Sequence, residues 1–71
     1  MTLHLQGIGK VPAKPAKDFK PGEKTMWNFG FIETVLSIEF SKTGKTVKWV
    51  IDSNGEEYTR KLGANRLVGI A

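Results

Sequence analysis

The sequence predicts an all-β fold, a single small barrel of about five strands. Two turn signals, KTGK (42–45) and SNGE (53–56), each lie between runs of alternating apolar and polar residues. In the aromatic stretch TMWNFGFIETV (25–35), the apolar phase changes at Gly30. The last segment, GANRLVGIA (63–71), reads as one helical turn and then a short closing strand.

Taken in order, TLHLQGI (2–8) alternates Leu3 and Leu5 and predicts an edge strand or a frayed end. GKVPAKPAKDFKPGEK (9–24) places five lysines at near-helical spacing, but Pro12, Pro15 and Pro21 forbid a continuous helix. Extended chain to Pro15 is expected, then one helical turn in AKDF and a turn at KPGE. Residues 1–15 thus form an edge strand and a Pro/Lys-rich arm, and 16–71 form the domain.

Strands are expected at 24–29, 31–41, 45–52, 56–62 and 66–70. Trp27 and Phe29 occupy odd positions, whereas Ile32, Leu36, Ile38 and Phe40 occupy even ones. Side chains alternate faces with period two, so Gly30 is expected to sit in a bulge or tight turn. Phe31 then falls on the outer face with Glu33, Val35 and Ser37. Closing the first loop pairs Phe40 with Val47, Ile38 with Trp49, Leu36 with Ile51 and Glu39 with Lys48. Asn-Gly in the second turn suits a type I′ hairpin, pairing Ile51 with Tyr58 and Val47 with Leu62. The expected core is therefore Leu36, Ile38, Phe40, Val47, Trp49, Ile51, Tyr58 and Leu62, with Trp49 buried and Lys48 exposed.

At fold level, LGANRLVGI (62–70) resembles the end of an SH3-like barrel, where a one-turn helix delivers the final strand. AKDFKPGEKTMW (16–27) is similar to the opening of several SH3-like and Hint-type β modules. The resemblance covers about residues 16–70 and implies fold more than function. It lacks the acidic run of polyproline-binding SH3 domains. Hint self-splicing is excluded, because the chain has no cysteine and its one histidine is His4.

Composition narrows the function. The formal charge is +4, of which residues 1–24 supply +3 (five lysines against Asp18 and Glu23). Without cysteine there is no disulfide framework or thiolate zinc site, and a cytoplasmic protein is expected. No apolar run is long enough to span a membrane, and no signal peptide is expected. His4 has no positioned partner for general-base work, so no catalytic residue is assigned. Asp52, Glu56 and Glu57 read as a solvated cluster, and neither metal nor cofactor is expected. SKTGKT (41–46) ends like a phosphate-binding loop, but Glu39 stands where that motif needs glycine. No small-molecule substrate is evident.

The preferred expectation is a non-enzymatic nucleic-acid-binding module. Lys48 and Lys61 are adjacent on the outer face, Lys42 and Lys45 crown the first loop, and the five lysines of residues 10–24, beginning in the N-terminal arm, can follow a phosphate backbone. Phe31 is the candidate base-stacking residue, and Arg66 and Arg60 offer forked contacts. Arg60 falls opposite Trp49, where a structural cation–π contact accounts for it as well. The rival expectation is a protein-interaction or assembly module, of the kind found among small phage and mobile-element accessory proteins. In it the 2–8 strand adds to a partner's sheet, with Phe31, Val35 and Val50 as the apolar contact.

Overall fold

The computed structural model describes the whole chain, Met1–Ala71. It is all-β: β1 (Thr2–Leu5), β2 (Gly9–Pro15), β3 (Lys24–Met26), β4 (Ile32–Phe40), β5 (Thr46–Ser53), β6 (Glu56–Gly63) and β7 (Leu67–Ile70). All pairings are antiparallel, in the order β1-β2-β7-β3-β4-β5-β6. The outer strands β1 and β6 are each paired on one side only, so the sheet is not closed into the expected barrel. The strands number seven rather than five, because the Pro/Lys-rich segment itself pairs. Pro12 and Pro15 have no N–H to give, yet β2 still pairs with β1 at one end and β7 at the other.

Two short 3₁₀ turns interrupt the strands, Ala16–Asp18 as expected and Asn28–Gly30, which ends the first predicted strand at Met26 rather than residue 29. The expected helical turn before β7 is a hydrogen-bonded turn instead, with Arg66 N–H donating to the Gly63 carbonyl.

Most of the hairpin register is as the pattern required. Phe40 pairs with Val47, Ile38 with Trp49, Glu39 with Lys48, Ile51 with Tyr58 and Val47 with Leu62. The tight turn expected at Gly30 is present, but the phase change sits at Leu36. β4 bulges between Val35 and Ser37, so Val35 faces Ile51 and Leu36 is the extra residue. Val35 is therefore buried with Glu33, and Leu36 is exposed. Phe40 and Tyr58, expected in the core, are exposed as well. Both lie on the core parity but near the rim, where no element covers them.

The main core is Ala16, Phe19, Val35, Val47, Trp49, Ile51, Leu62, Ala64 and Val68. Trp49 is fully buried, and Phe19 meets it edge to face at 5.3 Å. Lys14 closes over the Phe19 ring at 4.7 Å and bridges Glu23 at 2.7 Å. That bridge, with the Lys20 N–H, holds the Glu23 carboxyl below its ordinary value of 4.5. A smaller cluster of Leu5, Val11 and Ala13 packs against β7 at Gly69. A Cβ at Gly69 would lie 2.7 Å from the Met26 carbonyl oxygen, so only glycine lets the strands close there.

Gly30 has φ +83°, and a Cβ there would lie 3.3 Å from Ile8 Cδ1. It is needed to close the 28–30 turn. Gly30→Val should cost more than about 1 kcal/mol, read as a lower Tm. A Tm equal to the parent's would show that the turn tolerates a β-branched residue.

Candidate nucleic-acid interface

The structure divides the sequence-predicted residues into two groups. Lys48 and Lys61 are register partners on β5 and β6, both exposed on the outer face. Like charges placed directly opposite repel, so this pair costs stability unless an anion or Glu39, the other partner of Lys48, offsets it. Lys42 and Lys45 are exposed on the turn beside them. Phe40, missed as a surface residue, lines a shallow recess with Lys48 and Lys61.

Phe31 lies at the other end of β4, nine residues and up to about 30 Å of strand away. Here it joins Trp27, Asn28, Phe29, Glu33 and Arg60 around an open cleft of ≈ 370 Å³. The floor is built from the core outward. Thr25, fully buried, donates its hydroxyl to the Glu33 carbonyl and accepts the Trp27 indole N–H at 2.8 Å. These bonds fix the plane of Trp27. Arg60 lies over that ring at 4.4 Å and Arg66 reaches it at 5.9 Å. The cation–π partner of Arg60 is thus Trp27 rather than Trp49. Arg60 Nη2 also donates to Glu33 Oε2 at 3.0 Å, and the Glu33 side chain is only 11% exposed. Arg60 takes one carboxylate oxygen, while Glu33 Oε1 is buried without a partner in the protein, so the pair rests on a single hydrogen bond.

Phe29 and Phe31 are 65% and 66% exposed, although both are large and apolar. Phe29 has φ +64°, a left-handed conformation that costs a bulky side chain about 1–3 kcal/mol. The turn is nonetheless tied down. Phe29 N–H donates to the Gln6 carbonyl at 2.7 Å, and Gln6 N–H donates to Asn28 Oδ1 at 2.9 Å. Phe29 shares the odd parity of the half-buried Trp27, yet its left-handed backbone turns its ring outward. Arg66 also lines a second cleft, with Leu3, His4, Trp27 and Asn28. His4 is exposed on β1.

Asp52 and Glu57 face each other across the second hairpin, as the register required. The Tyr58 hydroxyl donates to Glu56, which raises its pKa above the usual 10.0. No three His, Asp or Glu side chains converge on one point. No helix is long and apolar enough to cross a membrane. Compared with models of known families, with curated proteins and with solved structures, the chain finds no match.

Proposed function

We propose that the protein is a non-enzymatic, cytoplasmic nucleic-acid-binding module, its curled sheet SH3-like in kind. The observation that carries this is the exposure of Phe29 and Phe31 beside the arginine-covered ring of Trp27. Exposed aromatics give bases a stacking surface, and guanidiniums beside them attract phosphate. Lys42, Lys45, Lys48 and Lys61 supply further phosphate contacts, so affinity has a strong electrostatic part.

The test is an NMR titration with short single- and double-stranded DNA and RNA at two salt concentrations. Affinity should fall steeply with salt. Replacing Lys48 and Lys61 by Gln should lower the slope of log affinity against log salt by roughly two, with little change in stability. Phe31→Ala should weaken single strands more than duplex, because stacking needs an unpaired base face. A protein-docking module is the second reading, favoured by the open edge of β6 and the exposed Leu36 and Tyr58. Absence of salt-sensitive affinity for every nucleic acid would sink the first reading and leave the second.

A further inference from the structure

We propose that the cleft between Phe29 and Phe31 holds one unpaired nucleobase, and that Phe29 is its principal stacking residue. This rests on the nucleic-acid reading above and names the element of the strand that the cleft takes. Three observations support it. The first is strain: a left-handed φ in a phenylalanine that is 65% exposed brings the fold little burial in return. Strain retained at a surface aromatic calls for a use of the ring outside the fold.

The second is order. The backbone bonds of Phe29 and Asn28 to Gln6 clamp the turn to the β1–β2 loop. The ring edge also rests against Gly7, where a Cβ would lie 2.8 Å from Phe29 Cδ1. An aromatic held this way loses little freedom when a second ring stacks on it.

The third is the chemistry of the cleft. Its ≈ 370 Å³ lies within the roughly 300–1,000 Å³ of small-ligand sites. A cationic guest would be repelled by the two guanidiniums beside the cleft, Arg60 at 4.4 Å and Arg66 at 5.9 Å from the Trp27 ring. Arg60 already occupies the Trp27 face and pairs with Glu33. The site therefore favours a neutral planar ring carried on an anionic chain, with Arg60 and Arg66 near its phosphates.

The experiment compares a heptamer of abasic deoxynucleotides carrying one central thymine with the wholly abasic heptamer. The single base should raise affinity about tenfold or more, the scale of one base–aromatic stack. Phe29→Asn should remove that gain and leave the affinity for the wholly abasic heptamer unchanged. Because Asn tolerates left-handed backbone, this variant should melt at or above the parent's temperature. A merely structural Phe29 would instead lower the melting temperature and leave the base-dependent gain intact, which overturns the inference. If the parent binds oligothymidylate in a salt-sensitive way yet does not distinguish the two heptamers, the base site is wrong and the nucleic-acid reading stands. If it binds neither heptamer nor oligothymidylate, both fall.

Discussion

Trp49→Ala should leave the protein largely unfolded at room temperature. Trp49 is completely buried at the centre of the core, between Phe19 and the Val47 and Ile51 positions of its own strand. Truncating a buried tryptophan to alanine costs about 3–5 kcal/mol, through lost transfer energy and the cavity left behind. A domain of this size rarely has more than about 3–5 kcal/mol to lose. The cost thus matches the whole stability. Trp49→Phe should be far milder, since the indole N–H it removes has no hydrogen-bond partner in the protein. Circular dichroism and urea unfolding of both variants check this. A cooperative transition for Trp49→Ala near the parent's midpoint would mean that the core is centred elsewhere.

The burial of Trp49 was legible because a period of two fixes a face as soon as a turn fixes the register. KTGK and Asn-Gly did that, and from them followed the Glu39–Lys48 pair and the Lys48–Lys61 adjacency. The same parity misplaced Val35 and Leu36, because a bulge reverses the phase without any glycine to mark it. The strand in the Pro/Lys-rich segment was hidden for another reason. Proline forbids a helix and spoils a ladder, so residues 9–15 looked like a linker. Their pairing with β1 and β7 depends on partners distant in sequence. In the candidate interface, Phe31 and Arg66 were legible as a surface aromatic and a free cation. Their neighbours were not. That Arg60 stacks on Trp27 depends on how the sheet curls, and that Phe29 points outward depends on one positive φ.

Arg60→Met should destabilise the fold by about 2–3 kcal/mol, although Arg60 looks like a surface residue on an outer strand. The substitution strips the Glu33 carboxylate of its partner where the Glu33 side chain is only 11% exposed. An uncompensated charge in a fully buried pair costs about 3–5 kcal/mol. The smaller figure applies here because the Arg60 side chain is 37% exposed and water screens part of the field. The loss of the guanidinium over Trp27 adds to it. Glu33→Met should cost less, since the freed guanidinium can turn to water. Replacing both by Met should restore much of the stability, because the methionines cover Trp27 and leave no charge to bury. Urea unfolding of the four proteins gives the coupling directly, expected at about 1 kcal/mol or more. Additive effects would show that Glu33 and Arg60 act independently, with Arg60 held by the indole alone. Where coupling is found, the double variant separates two roles of the ion pair. It keeps the cleft floor apolar and folded but removes the ion pair, so any loss of nucleic-acid affinity in it measures what the Arg60–Glu33 pair as a whole contributes to binding.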